Sequence, residues 1–167
     1  MSDTPGEKAV HYERFDTDAG FQAAVDRLLG QDGRELRLFD PDLTALRLNA
    51  PGRIERLERF LQASRARRLY VAVHDIDHVT KYCPRMMGLL ARYAHAVQIN
   101  RTQEEIRSVQ DSFLVLDAMH YVRRPVAQFF RGAIGLNDEN EALAMRARFG
   151  EIWSASFPAV APTTLGL

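Results

Sequence analysis

Two acidic segments follow predicted strands and contain the residue types that bind divalent metals. The segment DPD (40–42) comes directly after a strand predicted over 34–39, and HDIDH (74–78) follows a strand predicted over 69–74. In open α/β sheets, ligands bind outside the carboxyl ends of the strands. If the two strands are neighbours, their carboxylates and imidazoles would meet there, and such donors suit a divalent metal. The sequence therefore allows a metal site at Asp40, Asp42, His74 and Asp75.

The same aspartates have a purely structural interpretation. Aspartates after strands commonly end them and cap the next turn or helix, and Asp-Pro-Asp is an ordinary turn sequence. The spacing of His74 and His78 fits one face of a helix, but the segment leaves a strand. Because no metal motif of high specificity is present, no cofactor is expected and a divalent metal is only one possibility.

A basic pair ends the strand predicted over 120–123. Tyr121 and Arg123 should point to one face of that strand, while Arg124 turns with the following proline. Two arginines at a strand end can hold a phosphate or carboxylate through bidentate hydrogen bonds. An ion pair with a nearby Asp or Glu would explain them almost equally well.

Other reactive residue types lack the partners that catalysis needs. Cys83 precedes a proline at a predicted helix start, where the helix dipole lowers a thiol pKa, but no His/Asn arrangement surrounds it. His95 and His120 stand alone and are interpreted as packed or surface residues. The sequence contains neither a GxGxxG nor a Walker loop, and its serines lack a nucleophile-elbow context.

Composition restricts the class of protein. The chain has 167 residues, 46% of them hydrophobic and 26% charged, which fits one soluble domain. The net charge is zero, so nucleic acid is not an expected partner. No apolar run approaches the roughly 20 residues that span a bilayer, and no signal peptide is visible. We therefore expect a cytoplasmic protein without a membrane segment.

Helical and strand periodicities alternate along the chain, which favours an α/β fold. The expected architecture is a single α/β domain over residues 13–157, with a mixed, mainly parallel sheet and helices on both faces. Residues 1–12 are expected to form a flexible N-terminus and 158–167 an extended tail, because both segments are rich in polar residues or proline. The predicted elements are helix 21–29, strand 34–39, a helix from 53, strand 69–74, a helix from 84, strand 96–100, hairpin 112–123, strand 126–136 and a helix after 138.

Residues 110–128 resemble the motif of the phospholipase D superfamily, H-x-K-x4-D-x6-G-S-x-x-N. The pattern's His, Lys, Asp, Gly-Ser and Asn fall on Gln110, Ser112, Asp117, Arg124-Pro125 and Gln128. The order of elements over about 30–155 also resembles one half of that fold. In the superfamily the histidine is the nucleophile and the lysine steadies the phosphate charge. An amide at position 110 is not nucleophilic, so the resemblance implies a degenerate half domain without phosphodiesterase chemistry.

The resemblance has further implications for ligand and assembly. Active superfamily members pair two halves around a shared site, so this single half is expected to form a homodimer. Its crevice would bind an anionic, phosphate-containing ligand or dock a partner enzyme. The alternative is a metal-dependent hydrolase using the acidic segments described above. The expected ligand-binding residues are Gln110, Ser112, Asp117, Tyr121, Arg123 and Arg124.

The whole chain also resembles a family of uncharacterised bacterial proteins, some of which are fused to acetyltransferase domains of the GNAT type. An acetyltransferase is therefore one possible partner. The resemblance strengthens the candidacy of Asp40, Asp42, His74, Asp75, Gln110, Asp111, Arg123 and Arg124. The shared stretches are LFDPDL (38–43), VHDIDH (73–78), QDSFLVLD (110–117), HYVRR (120–124), EIW (151–153) and TTLGL (163–167).

Overall fold

A computed structural model, which describes residues 8–161, shows strands and helices alternating through the first two thirds of the chain. Short connections between strands then follow, and a long helix comes near the end. The elements are β1 (His11–Phe15), α1 (Asp18–Leu29), β2 (Glu35–Asp40), α2 (Pro51–Gln62), β3 (Arg68–Val73), α3 (Asp77–Tyr82), α4 (Pro84–Arg92), β4 (Val97–Thr102), β5 (Ser112–Leu116), β6 (His120–Arg124), β7 (Gly132–Leu136), α5 (Glu139–Ser154) and β8 (Ser156–Pro158).

All eight strands form one sheet in the order β1-β7-β6-β5-β2-β3-β4-β8. Only the β2–β3 and β3–β4 pairs are parallel, and the other five pairs are antiparallel. The expected mixed α/β sheet is confirmed, but the expectation that it is mainly parallel is wrong. A parallel pair needs a helical crossover, and the chain makes crossovers only between β2 and β4. A hairpin and a short loop connect β5, β6 and β7, which are neighbours in the sheet, while α5 leads from β7 to β8 at the other edge.

Helices cover both faces of the sheet, as expected, but they do so unequally. Helices α1 to α4 pack on one face, where Leu36 and Leu38 of β2 join the larger apolar core. On the other face α5 packs across the central strands and buries Phe39 and Phe113. The alternation of Leu38 and Phe39 between the two cores follows from the two-residue period of a strand.

The differences from the predicted elements lie mainly at the ends of the chain. Strand β1 begins at His11, within the segment expected to be flexible, and β8 ends at Pro158, where the extended tail was expected to begin. Strand β7 begins only at Gly132, so the first half of the predicted strand 126–136 is a loop. Residues 1–7 and 162–167, including the TTLGL stretch, lie outside the described residues.

His120, at the start of β6, is buried and holds the connection into α5. Its Nδ1 accepts a hydrogen bond from the backbone N–H of Asn137 at 3.0 Å. Burial lowers the pKa of His120 below its usual value near 6.5, an effect that outweighs the nearby charge of Asp117. The folded state therefore keeps this imidazole neutral at pH values where the unfolded chain protonates it.

Stability should fall as the pH drops below about 6.5, because the unfolded state then binds more protons than the native state. His120→Asn keeps an acceptor close to the position of Nδ1 but does not titrate, so it should reduce this loss of stability. The measurement is the free energy of unfolding in denaturant at pH 7.5 and 5.5. The exposed His95→Asn is the control, and an unchanged pH dependence in His120→Asn would contradict the assignment.

Candidate functional site

A cleft of about 450 Å³ opens where β2 ends, β5 begins and β6 ends. The antiparallel register of the central strands brings these three ends together, since Ser112 pairs with Arg124 across β5 and β6. Polar residues predicted from the sequence meet here. The polar and charged lining residues include Asp40, Asp42, Arg47, Gln110, Arg124 and Gln128.

A buried ion pair forms the floor of this cleft. Nη2 of Arg124 lies 2.7 Å from Oδ2 of Asp40 and 3.2 Å from Oγ of Ser112, and both charged side chains are only 2% exposed. Nη1 of Arg124 donates to the carbonyl of Ala127 at 2.7 Å. The guanidinium also lies over the ring of Phe21, 4.4 Å from its centroid. Arg124 therefore joins β2, β5, α1 and the loop after β6.

Asp40 also makes its polar contacts within the protein. Its Oδ1 accepts the backbone N–H groups of Leu43 at 2.7 Å and of Asp42 at 3.1 Å, so it closes the turn after β2. Burial raises the pKa of the Asp40 carboxyl and lowers the pKa of the Arg124 guanidinium, while their mutual attraction opposes both shifts. The prediction that Arg124 binds an anion is therefore not supported, because Asp40 already neutralises it.

The predicted ligand-binding residues separate into three places. Gln110 and Ser112 do lie near Arg124, and Nε2 of Gln110 donates to the carbonyl of Arg107 at 2.8 Å. Asp117 lies at the far end of β5, in a left-handed turn conformation. Its Oδ1 accepts the N–H groups of Arg34 and Glu35 at 3.0 and 2.9 Å, which fixes the start of β2. Tyr121 and Arg123 face the opposite side of the sheet, as the strand alternation predicted.

The predicted metal ligands are held in separate hydrogen bonds. Nε2 of His74 is 2.6 Å from the carbonyl of Val109, and Nδ1 is 2.5 Å from Oγ1 of Thr102, so both ring nitrogens are engaged. The carboxylates of Asp42 and Asp75 each cap a nearby backbone N–H. Within residues 8–161 no three His, Cys, Asp or Glu side chains form a group that could hold a metal. The turn-forming interpretation of these aspartates thus fits the contacts better.

Two other candidate residues, Asp111 and Cys83, have structural rather than catalytic surroundings. Asp111, near the start of β5, forms a bidentate ion pair with Arg148 of α5, with N–O distances of 3.0 and 2.8 Å. Cys83 is buried, and burial raises the pKa of its thiol. This fits the interpretation of Cys83 as an unreactive residue, and desolvation of the thiolate, rather than the helix dipole, determines the direction of its pKa shift.

A second groove, of about 520 Å³, lies on the other face of the sheet between β1, β7, β6 and the start of α5. It contains Tyr121 and Arg123, together with Arg131 just before β7. Strand β1 adds Tyr12 and Arg14, which were not predicted, because residues 1–12 were expected to be flexible and no strand was expected over 13–15. The alternation of Tyr12 and Arg14 with Phe15 on the other face was the available signal, but a five-residue strand with one core residue gives a weak pattern.

This fold is similar to that of solved phospholipase D family members. The chain is similar to Nuc from Salmonella typhimurium, a member of that family, with a TM-score of 0.69, 10% identity, and coverage of 92% of this chain and all of Nuc. NucT from Helicobacter pylori aligns with a TM-score of 0.59, 12% identity, and coverage of 90% and 100%. The archaeal chromatin protein TrmBL2, whose structure shows a novel mode of DNA binding, aligns with a TM-score of 0.64, 10% identity, and coverage of 95% and 56%.

Residues 17–162 match the family described as Domain of unknown function (DUF7931), and the chain belongs to that family. No curated protein sequence matches the chain significantly. At 10 to 12% identity the structural similarities show the fold alone. Among residues 8–161, no helix has both the length and the apolar character needed to cross a membrane.

Breaking the buried pair from one side should destabilise the protein strongly. Arg124→Met leaves Asp40 charged and buried, so we expect a loss of about 3–5 kcal/mol in the free energy of unfolding. The double variant Asp40→Asn/Arg124→Met should lose less than the sum of the two single changes, because neither charge then remains unpaired. Denaturant unfolding of the four proteins measures this coupling.

The ion pair of Asp111 and Arg148 provides the matched control. Its geometry is similar, but Arg148 is 46% exposed, so its coupling should be at most about 1 kcal/mol. Strictly additive effects of the Asp40 and Arg124 changes would show that the two charges do not depend on each other.

Proposed function

We propose that this chain is a non-catalytic, phospholipase D-like binding module that acts as a homodimer. It holds a phosphate-containing ligand or docks a partner enzyme, and an attached or associated acetyltransferase is one candidate partner. The observation that carries the proposal is the chemistry of the cleft at the ends of β2 and β6. Its deepest charged groups, Asp40 and Arg124, form an ion pair with each other and so neutralise one another.

The positions that resemble the superfamily motif support this interpretation. In the motif comparison Gln110 falls on the nucleophilic histidine, and a carboxamide nitrogen is neither basic nor nucleophilic. Ser112 falls on the lysine, and its hydroxyl lies against Arg124 rather than in the open cleft. In the described part of the chain, no histidine, lysine or cysteine lines the cleft. The cleft therefore has no counterpart of the histidine nucleophile of the superfamily, while its remaining groups can hydrogen-bond a ligand.

The alternative function, a metal-dependent hydrolase, has little geometric support. A metal that activates water needs several free donors around one point, with an open coordination position. Asp40 is paired with Arg124, and both ring nitrogens of His74 have hydrogen-bond partners. Metal binding would have to break these contacts first.

The test is hydrolysis of bis-p-nitrophenyl phosphate by the purified chain, in EDTA and in Mn²⁺, beside an active phospholipase D family enzyme. We expect no release of p-nitrophenol above buffer in either condition, because the cleft lacks the histidine that accepts the phosphoryl group in the superfamily. Light scattering after size exclusion should give the mass of a dimer. Hydrolysis that disappears in Gln110→Ala would overturn the non-catalytic assignment, and activity that appears only with Mn²⁺ would favour the hydrolase.

A further inference from the structure

The groove beside β1 is built from two cross-strand rows. In the sheet register, Tyr12 of β1, Gly135 of β7 and Tyr121 of β6 lie opposite one another. The next row consists of Arg14, Ala133 and Arg123. Residues in register on adjacent strands project to the same face, so aromatic and basic side chains flank a floor of small residues.

The small residues are required by the packing of the groove. A Cβ at Gly135 would lie 2.3 Å from Cε1 of Tyr121, so the tyrosine ring rests directly on the backbone of β7. Tyr121 is 3% exposed and fills the inner end of the groove. Its hydroxyl donates to Oδ2 of Asp138 at 3.4 Å, and burial, ahead of the nearby acidic charges, raises its pKa to about 12. Tyr121 therefore stays protonated and neutral at physiological pH.

Three arginines form the basic side of the groove. Arg14, Arg123 and Arg131 are exposed and line the same groove. Within residues 8–161, none of the three lies within 4 Å of a carboxylate, whereas Arg124 on the other face forms an ion pair with Asp40. Arg14 and Arg123 stand two inter-strand spacings apart, roughly 10 Å, on either side of Ala133. Nε of Arg14 donates to the hydroxyl of Tyr12 at 3.4 Å. The remaining guanidinium N–H groups around this small floor residue are suited to bidentate binding of a phosphate.

The other wall of the groove is negatively charged. Asp138 and Glu141, at the start of α5, line the groove across from the arginines. Their carboxylates accept hydrogen bonds and repel a second phosphate. Tyr12, at the rim, is 53% exposed and offers an aromatic face. A volume of about 520 Å³ lies within the range of small-molecule sites.

We propose that this groove binds an amino-bearing nucleoside monophosphate. Arg14, Arg123 and Arg131 hold the phosphate, Tyr12 contacts the base, and the acidic wall accepts hydrogen bonds from the exocyclic amino group. An extended nucleic acid fits less well, because its next phosphates would approach Asp138 and Glu141. The inference rests on the proposed function and deepens it, since it assigns the class and location of the phosphate ligand.

The experiment is calorimetric titration of the full chain with AMP, IMP, adenosine and inorganic phosphate. We expect AMP to bind more tightly than phosphate, because the base adds contacts, and adenosine to bind weakly, because it lacks the phosphate. Arg123→Gln should weaken AMP binding at least tenfold. Glu141→Gln should reduce the preference for AMP over IMP, a change that a purely structural role would not produce.

Two control variants distinguish this groove from the cleft and from nonspecific charge effects. Arg146→Gln removes an exposed charge on α5 outside both cavities and should leave AMP binding unchanged. Arg47→Gln changes the cleft at the end of β2 and should also have no effect. Circular dichroism and thermal melting check that each variant is folded.

The outcomes separate this inference from the proposed function. Loss of AMP binding in Arg47→Gln but not in Arg123→Gln would overturn the groove and leave the binding module standing. No binding of AMP at 10 mM, approximately ten times a weak millimolar Kd, would overturn the groove and leave docking as the function. Tighter binding of a short oligonucleotide than of AMP, lost in Arg123→Gln, would overturn the monophosphate assignment. Phosphodiester hydrolysis by the purified chain would contradict the proposed function. It would not change what the AMP titration shows about this groove.

Discussion

The ion pair of Arg124 and Asp40 is the contact on which the arrangement of the central sheet depends. It connects the end of β6 to the end of β2, and through Ser112, Phe21 and Ala127 it reaches β5, α1 and the following loop. Two charges taken out of water gain little net stability, but either one left alone is very costly. We therefore expect the pair to act mainly on the specificity of strand register, since a shift in register would leave a charge buried without its partner.

The sequence predicted much of the architecture because the central elements have clear periodicities. The buried strands β2 and β3 and the amphipathic helices α1, α2 and α4 follow their apolar patterns closely. The prediction of a mainly parallel sheet was wrong because periodicity shows that a strand exists but not which neighbour it pairs with. The edge strands β1 and β8 were missed for a related reason: each is short, and few of its residues contact the core.

The candidate site was harder to predict because pairing across the sheet decides what each charge can do. Arg123 and Arg124 are adjacent in sequence, yet one lies in an open groove and the other is 2% exposed against Asp40, 84 residues away. Their shared place at a predicted strand end made both of them candidate ligands, and only the strand alternation separates them. His74 shows the same limitation, since its partners Thr102 and Val109 come from later parts of the chain.

The pairing of β2 with β5 also sets the order in which the protein can fold. Leu36 lies opposite Leu116, 80 residues later, while the parallel pairing with β3 becomes available much earlier. During synthesis one edge of β2 therefore stays open until β5 has left the ribosome. Contacts between distant residues slow folding, and an open apolar edge exposed for that time favours aggregation. Nascent chains that stop before β5 are accordingly the species that most need a chaperone.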